Sequence, residues 1–399
     1  MISELLNTVQ PYAWGSHTAL AALRGEPTPS AKPEAELWMG AHPLAPSRLA
    51  ATGQSLAAAI EQAPESCLGP SMLSEYGARL PFLLKVLAAA APLSLQAHPS
   101  LSQAIAGFAA EEAAGIPLSS PARSYKDPNH KPELLCALGE FWALCGFRDV
   151  SETLELLDEL GAQELLPYRA LLATEPSEAG ISKAFSALMQ APVQVRQTLA
   201  ERTTAACRAR AARTSRFAAE LGWAARLGEL YPGDVGVVSA LLMNLVRLEA
   251  GQAIYLPEGN LHAYLGGTGV EIMASSDNVL RGGLTPKHIN VPELLRVLDF
   301  RPLRPEPLGA VTHAQENTYE TPAREFRLSY FDLTLGKTTV KVDGPEIWLV
   351  TVGMGQLEPP VGAPQKLGQG RSAFVSADTG QLRISGNGRI FRARVAHSP

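Results

Sequence analysis

Residues 251–262 read GQAIYLPEGNLH, and this stretch decides the fold of the chain. Gly251 and Gly259 border a turn that ends at His262, and Pro257 stiffens it. Glycine turns the chain where a Cβ would obstruct it, and proline restricts the backbone. Small β-barrels carry this spacing where a strand turns and delivers a metal-binding histidine, although a lone match is as often an ordinary hairpin. Donors elsewhere in the chain must decide between these interpretations.

Two upstream segments supply such donors. Residues 93–100, LSLQAHPS, predict a strand in which Gln96 and His98 are two positions apart. In an extended strand this spacing places both side chains on one face. Residues 127–138, DPNHKPELLCAL, predict a turn followed by a strand with Glu133 near its start. Each residue by itself would usually be a solvated strand residue or a surface charge.

Together, Gln96, His98, Glu133 and His262 offer two imidazole nitrogens, an amide oxygen and a carboxylate oxygen. This donor set suits Zn²⁺ with one open coordination position, and Mn²⁺, Co²⁺ or Fe²⁺ would also accept it. An open position is typical of a catalytic metal. The sequence therefore predicts one zinc ion per chain.

The texture of the chain predicts a mainly β protein with a helical insertion. Residues 1–150 mix short β-prone runs with turns, and residues 151–232 are rich in Ala, Leu, Glu and Arg as in helices. Residues 233–305 return to β-type segments and complete the barrel that residues 1–150 begin. Residues 306–399 alternate β-branched and polar residues, which predicts a second β-sandwich.

A series of longer motifs spans most of residues 1–300. In chain order they are YAWGS (12–16), AELWMGAHP (35–43), PFLLKVL (81–87), LSLQAHP (93–99), DPNHKPELLCAL (127–138), FWALCGFR (141–148), YPGDVGVVSALLMN (231–244), YLPEGNLHAYL (255–265) and GVEIMASSDNVLRGGLTPKH (269–288). Their content and order resemble the type I mannose-6-phosphate isomerases of the cupin superfamily. The last hundred residues match this family least.

The resemblance implies a cupin-type jelly-roll catalytic domain, an inserted helical domain and a second jelly roll at the C-terminus. It implies a metal-dependent isomerase that interconverts mannose 6-phosphate and fructose 6-phosphate through an enediol, by proton transfer between C1 and C2. The metal ligands of the family fall on the four donors named above, and its active-site arginine falls on Arg281. Catabolic or biosynthetic use, such as the making of GDP-mannose, stays open.

Candidates for the proton transfer are Lys131, His130, Glu271 and Arg281. Lys131 would lie on the same face as Glu133 if that segment is extended, but a surface lysine beside a turn is the competing interpretation. Glu271 can act as a base or orient another group. Arg281 has a fork of donors that suits a phosphate or an enediolate oxygen, so we assign it stabilisation and substrate clamping.

Phosphate binding would come from Ser94 and Lys287 beside Arg281. For Ser94 the competing interpretation is a strand hydroxyl bonded to the backbone. The substrate would thus be a small-molecule sugar phosphate.

Charge and composition narrow the partners. The formal charge of −5 argues against general binding of nucleic acid. A cluster of arginines fits a solvated helix face better, although some could line the phosphate pocket; these are Arg196, Arg202, Arg208, Arg210, Arg213 and Arg216. We see no signal peptide, no membrane span and too few cysteines for a disulfide scaffold. These features predict a cytoplasmic monomer with reduced thiols.

Two other functions compete with the isomerase. A non-haem iron oxygenase usually takes its first ligands from an HxH pair with a glutamate a few residues on, whereas here Gln96 precedes His98 and Glu133 is distant. A non-catalytic sugar-phosphate sensor could lose Lys131, Glu271 or Arg281, yet this chain keeps all three together with the four metal ligands. Metal analysis would separate these functions, since an oxygenase needs redox-active iron and a sensor tolerates an empty site.

Overall fold

The computed structural model describes residues 1–211 and 214–396. Helix and strand contribute about equally over these residues, so the prediction of a mainly β protein was wrong. Helices also lie between the β segments of residues 1–150, where the sequence interpretation had stressed the strands. Within the described residues, no helix is both long and apolar enough to cross a membrane.

The strands are numbered in chain order. They are β1 Ile2–Leu6, β2 Thr8–Gln10, β3 Glu36–Met39, β4 Arg48–Leu49, β5 Phe82–Ala89, β6 Leu95–Ala97, β7 Glu133–Ala137, β8 Phe141–Phe147, β9 Met243–Leu248, β10 Ala253–Leu256, β11 His262–Ala274, β12 Leu280–Gly283, β13 Val311–His313, β14 Glu316–Tyr319, β15 Arg327–Asp332, β16 Thr338–Lys341, β17 Glu346–Glu358, β18 Gln365–Gly368, β19 Ser372–Val375 and β20 Gln381–Arg394. The predicted strands at Gln96, Glu133 and His262 are thus confirmed.

The helices are numbered in the same way. They are α1 Ala19–Leu23, α2 Leu56–Gln62, α3 Pro64–Leu68, α4 Pro70–Tyr76, α5 Leu101–Ala113, α6 Val150–Leu160, α7 Leu166–Thr174, α8 Glu178–Gln190, α9 Val193–Ala211, α10 Ala218–Leu230, α11 Gly236–Leu241 and α12 Val291–Val297. Short 3₁₀ helices span Gln163–Leu165, Leu333–Leu335 and Ala377–Thr379.

Two antiparallel sheets organise the strands. The central sheet runs β10-β7-β11-β5-β3-β2. Strands β6 and β8 also pair with β11; β12 pairs with β6, and β9 pairs with β8. The thirteen-residue strand β11 is its axis, because its first half pairs with β6 and β8 and its second half with β5 and β7. The C-terminal sheet runs β13-β14-β15-β20-β17-β19-β1-β4, with β16 and β18 attached.

Alternate residues of the central strands point inward or outward. The inward side chains form one cluster, and the outward side chains pack against two different layers. Inner side chains such as Leu135, Cys145 and Tyr264 form one apolar cluster. The residues between them point outward, since successive strand residues face opposite sides. Outward residues of β5, β7 and the second half of β11 pack against the C-terminal sheet, and those of β6, β8 and the first half of β11 pack against the helices.

The first strand pairs with the far end of the chain. β1 lies between β19 and β4 in the C-terminal sheet, with Leu5 opposite both Ser372 and Leu49. Residues 1–150 were grouped together from their texture, yet these two strands hydrogen-bond with C-terminal strands. A strand pattern reports which face is buried and does not identify the partner strand. The division into residues 1–150, 151–232, 233–305 and 306–399 remains a prediction from the sequence.

The helical segment follows the predicted pattern of charges. Asp149 caps α6 by accepting from the Ser151 backbone, and Gly161, at φ +64°, ends the helix in the left-handed region that glycine favours. Three arginines of the cluster pair with acidic side chains on an exposed surface: Arg202 with Glu164, Arg208 with Glu229 and Arg216 with Glu155. This favours the solvated helix face. Arg213 lies outside the described residues.

A buried ion pair in the C-terminal sheet gives a stability prediction. Arg392 on β20 is 4% exposed and contacts Glu346, Glu316 (3.3 Å) and the Lys341 carbonyl (2.6 Å). We expect Arg392→Met to lower the free energy of unfolding by about 3–5 kcal/mol, because it leaves the buried Glu346 carboxylate without its ion-pair partner. Urea denaturation measures this change.

The matched control is Arg383→Met on the same strand. Arg383 is 56% exposed and lies 3.6 Å from Glu358, which is 38% exposed, so the control should lose no more than about 1 kcal/mol. Equal losses in the two variants would contradict the prediction.

Candidate metal centre and active site

The turn at residues 257–261 places His262 at the first position of β11. Gly259 has φ +72°, and a Cβ there would lie 3.1 Å from the Val297 carbonyl oxygen, so both backbone and space require glycine. The Gly259 N–H donates to the His98 carbonyl at 2.8 Å. The turn that delivers one histidine is thus bonded to the backbone of the other.

Three of the four predicted ligands converge. His98 follows β6, Glu133 begins β7 and His262 begins β11. The Nε2 atoms of His98 and His262 each lie 3.4 Å from a different carboxylate oxygen of Glu133. One donor atom from each residue lies within 4.8 Å of the others, and all three residues are buried. A small cation in contact with three such donors would complete this arrangement.

The hydrogen bonds at the back of both rings fix their orientation. The Nδ1 of His98 is 2.6 Å from the Asn278 carbonyl, and that of His262 is 3.0 Å from the Asn260 carbonyl. A carbonyl accepts from N–H, so each Nε2 carries the lone pair that a metal needs. Both Nε2 atoms are buried without a hydrogen-bond partner, as is Glu133 Oε2. Buried orphan atoms are costly, and a divalent metal would satisfy all three.

Electrostatics keep His98 and Glu133 in their ligating forms. Burial lowers the pKa of His98 to about 4, which keeps the ring neutral near pH 7. For Glu133, burial by itself would raise the pKa, but the neighbouring Lys131 ammonium is the main cause that holds it well below the usual range. A neutral imidazole pair with a carboxylate is the ligand state that Zn²⁺ requires.

Gln96 lies where a fourth ligand is expected. It is the ladder partner of His262 on one side and of Arg281 on the other. Directly opposed residues in antiparallel strands share a face, so these three side chains form a row across β11, β6 and β12. Ser94 lies two residues before Gln96, at the outer end of this face.

Lys131 and His130 occupy different environments. The Nζ of Lys131 lies 3.0 Å from Glu133 Oε1, and the lysine is buried. The ring of His130 instead lies between Glu258 and Glu325, outside the group of metal donors. Of the two neighbouring candidates for proton transfer, the structure brings Lys131 to the metal centre.

Glu271 belongs to a second buried polar cluster. It is 3.1 Å from Lys85 Nζ and accepts from the Tyr264 hydroxyl at 2.8 Å. Glu36 lies 3.8 Å from the same lysine and accepts from the Trp38 indole at 2.7 Å. Burial raises the pKa of Glu271, with Lys85 opposing that rise and Glu133 adding to it. The two clusters therefore influence each other's charge.

Sequence reasoning did not assign Lys85 a role. The available signal was a single lysine inside FLLKVLAA, a strand whose eight residues are all buried. Lysine is almost never fully buried unless it is paired, so its position predicted a carboxylate partner.

The predicted phosphate contacts lie further out. Ser94 and Arg281 are half-buried and Lys287 is exposed. Lys126 was not anticipated; burial, then Arg123 and, more weakly, Arg281 lower its pKa, whereas Glu111 raises it. This places Lys126 close enough to Arg281 to add positive charge on that side.

The sequence is similar to that of known proteins over nearly its whole length. Residues 2–150 match the family model described as phosphomannose isomerase type I, catalytic domain. The mannose-6-phosphate isomerase of Escherichia coli K12 is 39% identical, covering 98% of this chain and 99% of the relative. The human mannose-6-phosphate isomerase is 33% identical, covering 93% and 92%.

Solved structures agree over the whole length. A crystal structure of mannose 6-phosphate isomerase bound with zinc and yttrium has TM-score 0.91 and 38% identity, covering 99% of this chain and 100% of that one. The Salmonella typhimurium enzyme bound to its substrate, fructose 6-phosphate, and zinc gives the same values.

The buried histidine gives a pH prediction for metal-free protein. Burial lowers the pKa of His98 from 6.5 to about 4, so between these pH values only the unfolded chain takes up a proton. Stability should therefore fall as the pH falls through this window, by at most about 3 kcal/mol from this group. Urea denaturation of chelator-treated protein at several pH values measures the effect.

His98→Asn should remove this part of the pH dependence. His313→Asn, at an exposed histidine, should retain it and serves as the control. An unchanged pH dependence in the His98 variant would refute the assignment.

Proposed function

Because the chain belongs to the phosphomannose isomerase type I family, we propose that it interconverts mannose 6-phosphate and fructose 6-phosphate at the His98–Glu133–His262 centre. The observation that carries this function is the convergence of three buried, otherwise unpartnered donor atoms in a chain related to these isomerases over its whole length. The reaction is an aldose–ketose isomerisation that moves a proton between C1 and C2.

Zinc is the cofactor, and His98, Glu133 and His262 would hold it together with Gln96. Gln96 is proposed as the fourth ligand because it is the ladder partner of His262. When bound, the ion supplies a Lewis acid that polarises the sugar oxygens and stabilises developing negative charge. The chain contributes neutral rings of fixed orientation and a carboxylate that stays ionised.

We assign proton transfer between C1 and C2 to Lys131. Among the described residues, Lys131 is the protonatable side chain that contacts a metal donor directly without being a proposed ligand itself. In its neutral form, the Lys131 amine can take a proton from one carbon and return it to the other if the open-chain sugar lies beside Glu133. His130 is less suited, since both of its ring nitrogens face carboxylates.

Glu271 and Arg281 have different tasks in this proposal. Glu271 orients Lys85 through their 3.1 Å contact, with direct action as a base as the alternative. Arg281 stabilises negative charge and clamps the substrate, because its fork of donors shares a face with Gln96. Burial lowers the pKa of Arg281, yet an arginine stays protonated in proteins, so its charge persists.

We place the phosphate group toward Ser94 and Lys287, with Lys126 as an additional cation. The strand separates Ser94 from His98 by roughly 13 Å at about 3.3 Å per residue, so the phosphate would lie away from the metal. A half-buried hydroxyl with cations nearby provides donors and charge for a phosphate.

The finer architecture also belongs to the proposal. We interpret the central sheet as the cupin-type jelly roll of residues 1–150 and 233–305, the helices of 151–232 as an insertion, and residues 306–399 as a second β-sandwich. We further propose a cytoplasmic monomer. In support, the four cysteines are free and buried, and one chain supplies every donor of the metal centre.

The deciding assay follows conversion of mannose 6-phosphate to fructose 6-phosphate before and after chelation. We expect activity to disappear with the metal and to return when Zn²⁺ is added, because the buried donors cannot polarise the substrate by themselves. A folded, zinc-loaded sample without conversion would overturn the isomerase, whereas return of conversion only with iron would change the assigned metal and leave the reaction unchanged.

Replacing Lys131 tests the proton-transfer assignment. We expect Lys131→Gln to lower kcat by roughly 10²–10⁴-fold, the usual contribution of a general acid–base group, with zinc retained. Steady-state kinetics and metal analysis measure the two effects. Lys183→Gln is the control, since Lys183 is 62% exposed and pairs with Glu175 on a helix. A kcat within twofold of wild type would exclude Lys131 from this role.

A further inference from the structure

His130 is held by two carboxylates from distant parts of the chain. Its Nδ1 contacts Glu258, and its Nε2 lies 2.6 Å from Glu325 Oε1. The three side chains are only 16–35% exposed. Both ring nitrogens are used, so in this geometry neither is free to exchange a proton with a bound sugar.

His130 and Glu258 each lie a few residues from a proposed metal ligand in the chain, so their ion pair lies close to the metal centre in sequence. His130 precedes the proposed ligand Glu133 by three residues, and Glu258 precedes His262 by four, within the turn that delivers it. Lys131 contacts Glu133 while the neighbouring His130 ring contacts Glu258 and Glu325. The ion pair therefore ties the segments that carry two of the ligands.

Glu325 brings a third segment, from the C-terminal part of the chain, into contact with His130. It lies just before β15, whose residues Leu328 and Phe331 are buried in the C-terminal sheet. The His130 ring contacts both glutamates at once, so it connects the Glu325 carboxylate to the Glu133 and His262 segments.

We propose that Glu258, His130 and Glu325 form an ion-pair clamp that positions the metal-ligand segments against the C-terminal part of the chain. The clamp residues are positioning residues, because none of them is among the metal donors. The inference rests on the proposed metal centre. It gives the C-terminal sheet a task at the active site and explains why His130 is a poor candidate for the base.

The positive charge of His130 and the open space beside its ring both support the clamp. Burial by itself would lower the pKa of His130, but the two glutamates raise it to about 9, so the ring is an imidazolium at neutral pH. Cavities of about 290 and 480 Å³ border it, and they also contain Glu75, Tyr76, Arg79, Tyr255 and Arg324. The ring borders this open space, and its ion pairs with Glu258 and Glu325 fix its position.

The pH range in which the clamp acts follows from its charge. A folded pKa raised from 6.5 to about 9 means that its contribution is complete below pH 6.5. The contribution is lost as the pH rises through about 9.

The test is the rate at which zinc leaves the full-length protein to excess chelator, together with the visible spectrum of the cobalt-substituted form. Changes in the direct partners of ligands typically weaken metal affinity 10–100-fold. Glu325 acts one step further out, through His130, so we expect Glu325→Gln to release zinc at the low end of this range, roughly tenfold faster, and to change the spectrum. We also expect kcat to fall with KM nearly unchanged.

Glu320→Gln is the matched control. Glu320 carries the same side chain in the same segment, but its contact with His313 is 3.9 Å long and both partners are mostly exposed. This variant should behave as wild type. Glu325→Asp, which keeps the charge on a shorter side chain, should give an intermediate rate and guards against a Gln variant that does not fold.

A double-mutant cycle with His130→Asn separates the clamp from other roles. If the clamp exists, the two substitutions should be non-additive in zinc release, because either one breaks the same contact. Additive effects, or wild-type release from Glu325→Gln, would overturn the proposal. So would loss of activity in His130→Asn with unchanged zinc release and cobalt spectrum. Since neither readout needs turnover, failure of the isomerase assignment would be seen separately.

Discussion

The buried carboxylate of Glu133 is the constraint on which the rest of the structure depends. A buried anion is costly unless cations or a metal satisfy it; Lys131 contacts Glu133, and His98 and His262 complete the donor set of the metal that would satisfy the rest of its charge. Apart from Lys131, these partners lie on segments distant from Glu133 in the sequence. The central sheet must therefore close around β11 before the charge is compensated, so folding and assembly of the site are one process.

Lys85, Glu271 and Glu36 form a second buried cluster, in which charges are again compensated by partners from distant strands. Lys85 carries one positive charge against Glu271 and Glu36, and its pKa is raised because their attraction outweighs burial. Glu133 also acts on both Lys85 and Glu271. The inner face of the sheet is thus a connected electrostatic system. A substitution in either cluster will alter proton affinities in the other.

Part of this site could be predicted from sequence because some patterns have a purely local cause. The turn glycines before His262 and the two-residue spacing of Gln96 and His98 each follow from backbone geometry. The partner of Lys85 and the pairing of β1 with β19 depend on which distant strands meet, which local pattern does not encode. The helical content was underestimated because short helices such as α2 and α4 interrupt β-prone runs without a long periodic signal.

The C-terminal sheet supports the metal centre from outside it. A single apolar cluster joins Val86 and Ile272 of the central sheet to Ile347 and Phe391 of the C-terminal sheet. Apolar packing is non-directional and excludes water, but it does not fix the lateral position of one strand segment against another. Directional contacts such as that of Glu325 with His130 can supply this position. A centre whose donors must meet within a few tenths of an ångström needs both kinds of support.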